Sequence, residues 1–312
     1  MEYIGYVGTY TSKTSEGIYR FNFKENRFSD LKLFAKTKNP KYLCFIGDYI
    51  AAVCDFDNGS GVSVYDKQGN LVTSLAYESS TSCYIVSKGK YLYTCNYHNG
   101  TFSALKLEKD KLVLLKTILI KEKAGSHQVI FVGDKFLIPC LFLDKIIVLN
   151  SSYEIENTIC FDQGSGPRHA VLSNDKKYLY IVGELSNNLY VIDLLQQKIV
   201  NTVHVLKNNI AQAANSAAIR MSNDGRYIYV STRTEDVVSV LSVDGINVEL
   251  QQVEKTSGVH PRDFYLNDEF LIVANKDSNN LVSFSLKYGI IDKVTDMVCA
   301  PEGVSIIMEE KI

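Results

Sequence analysis

A strand-like segment opened by an aromatic residue returns seven times along the chain, and this repeat restricts the possible folds more than any other feature. The segments begin at Tyr3, Tyr49, Tyr91, Phe136, Tyr178, Tyr227 and Phe270. Their starts lie 46, 42, 45, 42, 49 and 43 residues apart, a mean of 44.5. Each is rich in aromatic and β-branched residues, as in Tyr178-Leu179-Tyr180-Ile181-Val182-Gly183, the composition of a buried strand. A polar turn follows, for example His98-Asn99-Gly100 or Ser186-Asn187-Asn188, with residues that tolerate positive φ. A second alternating run then begins. Before most of these segments lies a short run opened by proline or a small residue: Pro40-Lys41-Tyr42-Leu43, Ser126-His127-Gln128-Val129, Pro167-Arg168-His169-Ala170 and Pro261-Arg262-Asp263-Phe264. Proline suits the first position of a strand, where no ladder donor is needed. A fourth run closes the unit, as in Lys198-Ile199-Val200-Asn201-Thr202-Val203.

Strand units with a period of about 40–50 residues are propeller blades. The predicted fold is therefore all-β: one seven-bladed β-propeller spanning residues 1–312, with four-stranded antiparallel blades. A helical turn is expected only between residues 208 and 218. The chain begins with an aromatic-opened strand that lacks an opener, and it ends with Pro301-Glu302-Gly303-Val304-Ser305-Ile306-Ile307, an opener that lacks its successor. The C-terminal strand should complete the N-terminal blade, closing the ring and removing two sheet edges.

Charge and cysteine usage narrow the function. The net charge is −2 over 312 residues, without long runs of one sign, which argues against a nucleic-acid partner. No apolar stretch approaches the ~18 residues of a membrane helix, and the N-terminus lacks signal-peptide character. The seven cysteines show no C-x-x-C spacing and read as reduced, mostly buried thiols of a cytoplasmic protein. The five histidines show no zinc-like spacing, so the site is expected to be metal-independent. No dinucleotide fingerprint is present, and no organic cofactor is expected. The sequence does not reveal the oligomeric state, monomer or weak dimer.

The antiparallel register locates a face. The start of each inner strand lies beside the end of the aromatic-opened strand, so two rings of residues meet at one mouth of the channel. One ring holds Thr9, Asp55, Tyr97, Phe142, Glu184, Arg233 and Lys276; the other holds Lys41, Ser82, His127, Arg168, Ala217, Arg262 and Glu302. Strand ends are often polar merely because they meet solvent. Here, however, His127, Arg168, Glu184, Arg233, Arg262 and Lys276 fall in consecutive blades and should form a half-ring. Guanidinium forks beside one carboxylate and one imidazole suit an anionic ligand.

The same residues carry a family likeness. Gly164-Ser165-Gly166-Pro167-Arg168-His169, followed by Tyr178 to Leu185, resembles the G-x-G-P-R-H and Y-V-x-N-E-L signature of the propeller-type 6-phosphogluconolactonases, the lactonase family. Tyr6-Val7-Gly8-Thr9-Tyr10-Thr11, Asn96-Tyr97-His98-Asn99-Gly100 and Ser222 to Ser231 are similar to further family segments, so the likeness runs nearly end to end. The resemblance implies hydrolysis of a small anionic sugar lactone, 6-phosphogluconolactone, with His127, Arg168, Glu184 and Arg233 in the active site. The chain departs from the pattern at Gly125, where the family has a histidine, and at Gly183, where it has an asparagine. It also departs in the segments Cys140 to Asp144 and Thr232 to Thr234.

For such a reaction, Glu184 or His127 would activate water, and Arg168 or Arg233 would polarise the carbonyl. Arg262 and Lys276 would hold the phosphate, and Tyr97 and His169 are further candidate binding residues. Alternation along a strand places the His169 side chain opposite that of Arg168, so His169 is expected to orient a neighbour or to bond within its blade. His260, in a loop before Pro261, should be solvated. A Glu184 that merely ties blades together is the structural alternative. Alternative functions are a hydrolase or cycloisomerase for another anionic, muconolactone-like lactone, and a non-catalytic binding propeller.

Overall fold

The computed structural model describes residues 1–207 and 215–311. Its strands form seven four-stranded antiparallel sheets. The fifth blade shows the pattern: inner strand Pro167–Leu172, then Tyr178–Gly183, Asn188–Asp193 and the outer strand Lys198–His204. The first blade mixes the two ends of the chain, with Gly303–Glu310 innermost and paired to Glu2–Thr9 from Tyr3↔Glu310 to Thr9↔Gly303. This is the predicted closure.

Burial follows position within the blade. The second strand of the seventh blade, Phe270–Asn275, is buried at every residue, whereas the outer strand Ile155–Cys160 of the fourth blade is exposed at all but one. A second strand lies in the middle of a stack and packs on both faces, so it reads as a continuous apolar run. Tyr229, Val238 and Val240 of the sixth blade meet Phe264, Leu271 and Val273 of the seventh. Tyr93 and Phe102 of the third blade pack against Phe136 of the fourth, ring centroids 5.1 and 5.6 Å apart. Each fully buried side chain of this kind stabilises the ring by about 1.5–3 kcal/mol.

Three local features depart from the sequence reading. The inner strand of the fourth blade is only Ile130–Val132; Ser126 contributes an isolated bridge to Cys140, and the His127 amide donates to the Pro139 carbonyl at 3.0 Å. The expected helical turn falls largely on residues 208–214, outside the described residues, and Ser216–Met221 is strand. All seven cysteines are unpaired, but Cys160 and Cys299 are exposed on outer strands rather than buried. Among the described residues, no helix is long and apolar enough to cross a membrane.

Glu302, just before the closing strand, is an anchor. Its carboxylate accepts the amides of Lys13, Thr14 and Ser15 at 2.9, 3.0 and 3.1 Å, and that of Ser12 at 3.2 Å. Its carbonyl accepts the Tyr10 amide at 3.1 Å. Burial works to raise its pKa, but these donors outweigh burial and hold it down at about 2. The loop that carries Tyr10 is thereby tied to the channel mouth.

Candidate active site

The inner strands of the fifth, sixth and seventh blades each break register just after they start. In the fifth, Pro167 pairs with Gly183 and Ala170 with Ile181, so Arg168 and His169 together face the single residue Val182. In the sixth, the shift lies between Ser216 and Ile219; in the seventh, Arg262 is the extra residue between Pro261↔Asn275 and Asp263↔Ala274. A bulge inserts one residue, ends strict alternation and re-aims side chains. Despite the bulge, Arg168 and His169 turn to opposite neighbours, as expected: Arg168 towards the sixth blade and His169 towards the fourth. Arg168 reaches Glu184, and His169 Nε2 lies 3.0 Å from His127 Nδ1 on the neighbouring blade.

Glu184 follows strand Tyr178–Gly183, its amide donating to the Gly166 carbonyl at 2.8 Å. One carboxylate oxygen, Oε2, is 2.7 Å from Arg168 Nε; the other, Oε1, is 2.9 Å from Arg233 Nη2. Burial works to raise the Glu184 pKa, but the Arg168 and Arg233 charges outweigh it and hold the group below the ordinary carboxylate value. Each oxygen keeps a further lone pair for another donor. Arg233 is fixed by Nε donation to the Asn215 carbonyl at 3.0 Å.

Arg168 itself is only 2% exposed, and its Nη1 donates to the Ala217 carbonyl of the sixth blade at 2.5 Å. Burial lowers its pKa to about 10, which leaves it charged at neutral pH. The guanidinium lies behind Glu184 and does not line the cavity. Direct contact with a substrate carbonyl, expected as one alternative from the sequence, is blocked by this burial.

The cavity encloses about 230 Å³ and is lined by residues from all seven blades, not a half-ring. His127, Glu184, Arg233 and Arg262 come from the fourth to seventh blades; Tyr10 and Lys41 come from the first and second. The third supplies Thr81, Cys83, Tyr97 and His98. Tyr97 sits edge-on to His127, ring centroids 5.8 Å apart. Lys41 Nζ, Arg262 Cζ and Lys276 Nζ each lie 5.5 Å from the centroid of the Tyr10 ring, a cluster of cations around one aromatic ring.

Several ring residues are elsewhere. Lys276 does not line the cavity, because Asp277 holds its ammonium at 3.0 Å. His260 is half-buried rather than solvated, with Nδ1 3.2 Å from Asp277 Oδ2. Phe142 is 53% exposed at the rim and contacts Tyr97. Asp55 is spent on Asn39 and Ser60, at 2.7 and 2.6 Å, and on Thr81. Ser82 donates to Glu78 at 2.8 Å. Tyr10, Thr81, Cys83 and His98 were not singled out from the sequence as site residues. Tyr10 and His98 lie inside segments that carry the family likeness; Thr81 and Cys83 had no signal beyond their place before an inner strand.

The departures from the family pattern have a steric side. Gly125 has φ +70°, and a Cβ there would lie 3.1 Å from both Leu141 Cβ and Phe142 Cδ2. A Cβ on Gly183 would approach the Ser165 carbonyl oxygen to 2.4 Å.

Residues 4–308 match the family model described as "Lactonase, 7-bladed beta-propeller". A 6-phosphogluconolactonase of Bacillus subtilis is 27% identical over 321 residues, covering 91% of both chains. An uncharacterized protein of Lactococcus lactis subsp. cremoris is 30% identical over 308 residues, covering 89% of this chain and 90% of its own. Among solved structures, a protein from Lactobacillus plantarum superposes with a TM-score of 0.91 at 26% identity, covering 99% of this chain and 100% of that one. A periplasmic gluconolactonase of Pseudomonas aeruginosa superposes at 0.87 and 24% identity, with 99% of each chain covered; at that identity it speaks for the fold alone.

Proposed function

The chain belongs to the lactonase family of seven-bladed β-propellers, and we propose that it hydrolyses 6-phospho-D-glucono-1,5-lactone to 6-phosphogluconate in the cavity around Glu184. The observation that carries this reading is the charge pattern of the lining. Glu184 is its one carboxylate, and Lys41, Arg233 and Arg262 surround it. Cations in excess of carboxylates in a cavity that size suit a small, multiply charged anion. The Bacillus subtilis relative bears the name of the same activity.

In the proposed reaction a water bound to a free lone pair of Glu184 attacks the lactone C1. Its proton passes to the carboxylate as the C1–O bond to water forms. Arg233 stabilises the negative charge growing on the carbonyl oxygen. The C1–O5 bond then breaks, and O5 takes the proton from Glu184, leaving an open-chain acid and a hydroxyl. Lys41 and Arg262, beside Tyr10, hold the phosphate. Lys276 acts only at the rim. The seven unpaired cysteines support a reducing compartment.

Gly125 and Gly183 favour a second reading, the same chemistry on another anionic lactone, because they replace residues of the family pattern beside His127 and Glu184. The deciding experiment measures acid release from fresh 6-phosphogluconolactone, unphosphorylated gluconolactone and muconolactone, each against buffer at mildly acidic pH. Rates above buffer for the phosphorylated lactone, and weaker ones for the others, support the first reading. A rate equal to buffer on all three rejects both.

A further inference from the structure

His169 is 2% exposed, lies beneath the cavity wall and has no part in the reaction as described. Its Nε2 is 3.0 Å from Nδ1 of His127, with the rings edge to face at 4.8 Å. The contact is built in from both sides. The side chain of Gln128 clamps the backbone of Ala170, accepting its amide at 2.6 Å and donating to its carbonyl at 3.2 Å. This locks residues 127 and 169 opposite each other across two blades. The Tyr84 and Tyr42 rings stand edge-on to His169 at 5.5 and 6.1 Å. Its other nitrogen, Nδ1, is buried with no partner.

We propose that His169 is a positioning residue that fixes the tautomer of His127, so that His127 presents Nε2–H to the cavity as a neutral hydrogen-bond donor. Two proton arrangements fit the 3.0 Å contact. In one, His169 Nε2–H donates to His127 Nδ1; His127 then carries its proton on Nε2, and the sealed Nδ1 of His169 is a bare lone pair. In the other, His127 Nδ1–H donates to His169. The His127 Nε2 is then bare, and the sealed Nδ1 of His169 holds a proton with no acceptor. A buried donor without an acceptor is the rarer and costlier orphan. The arginine charges bearing on His169 are those of Arg168, Arg220 and Arg262, and a positive field favours a lone pair over an N–H dipole. Both considerations select the first arrangement.

Neither ring takes a second proton at neutral pH. Burial, with Arg168 and Arg262 nearby, holds both pKa values well below the ordinary histidine value. His127 lines the cavity, and its Nε2 is not among the sealed, unpartnered atoms. On the lactonase reading above, on which this consequence rests, His127 supplies a second donor to the carbonyl oxygen. Water activation stays with Glu184. A neutral imidazole acting as an electrophile keeps its proton throughout.

The test is nitrogen NMR of the full chain labelled at histidine, with His127 and His169 assigned by substitution. The wild-type protein should show a protonated Nε2 and a bare Nδ1 on His127, and a bare Nδ1 on His169. His169→Leu should leave His127 a mixture of tautomers and lower kcat by about 10-fold or more with KM changed less than about twofold. His169→Gln, whose amide nitrogen reaches the same position, should restore both the His127 signal and most of the kcat. A bare Nε2 on His127 in the wild-type protein overturns the inference, and so does an unchanged His127 spectrum in a folded His169→Leu variant. If the wild-type protein hydrolyses no anionic lactone, the functional reading fails, while the spectrum still decides the tautomer.

Discussion

The Arg168 guanidinium lies beneath the Glu184 carboxylate, Nε to Oε2 2.7 Å, and is closed off from the cavity that Glu184 lines. The pair therefore splits a role that the sequence left shared. Glu184 faces the ligand, and Arg168 sets its charge and orientation from behind.

Removing that support should be costly. Arg168→Met leaves Glu184 with Arg233 as its single ion-pair partner and strands the Ala217 carbonyl that Nη1 now caps. We expect a loss of about 3 kcal/mol in urea unfolding. An unchanged midpoint would show that the buried guanidinium contributes nothing.

Glu184→Gln should lower kcat by about 100-fold or more, with a smaller effect on KM. In the wild-type enzyme, activity requires the carboxylate. Because its pKa is depressed, activity should hold as pH falls to the ordinary glutamate value and decline only below it. His127, neutral throughout, should add no inflection near pH ~6.5. A pH–rate profile for kcat/KM, corrected for spontaneous hydrolysis, checks both limbs.

Lys41→Ala and Arg262→Ala should raise KM for the phosphorylated lactone by about 10-fold each, the value of one charge-assisted contact, whereas Arg233→Ala, which removes the donor to the developing oxyanion, should lower kcat. Lys41→Ala and Arg262→Ala should matter much less for unphosphorylated gluconolactone. Lys276→Ala, held by Asp277, should change KM less than either. Equal effects on both lactones would remove the phosphate assignment.

Glu302 gives a separate prediction for stability. Its folded pKa of about 2 lies below the ordinary carboxylate value, so its contribution is fully present above that value and is lost as pH falls towards about 2. Thermal melts across this window should show a steeper decline for the wild-type protein than for Glu302→Gln. The variant should also melt lower at pH 7. Parallel curves would refute the anchor.

Much of the site was legible because a propeller converts sequence position into angle. Counting from the aromatic openers and from the inner-strand openers brought Glu184, Arg233, His127 and Arg262 to one mouth, and the structure lines one cavity with all four. The errors cluster where counting assumes a uniform strand. The inner strand of the fourth blade begins only at Ile130, so His127 lies in a segment before the strand rather than within it. Lys41 was visible as a ring member but not as a site residue, since its blade lies outside the presumed half-ring. Tyr10 depends on a loop held by a glutamate 292 residues further along the chain.

Repeat length, strand alternation and the mismatched ends are local properties, and by themselves they determined seven blades, the closing strand and the mouth where charged residues gather. Depth and pairing were decided only by the folded ring. Arg168 and Arg233 are both arginines at strand ends, yet one is sealed behind a carboxylate and the other opens onto the cavity. That difference arises from bulges and from contacts across neighbouring blades, between residues whose separation along the chain carries no record of their distance in space.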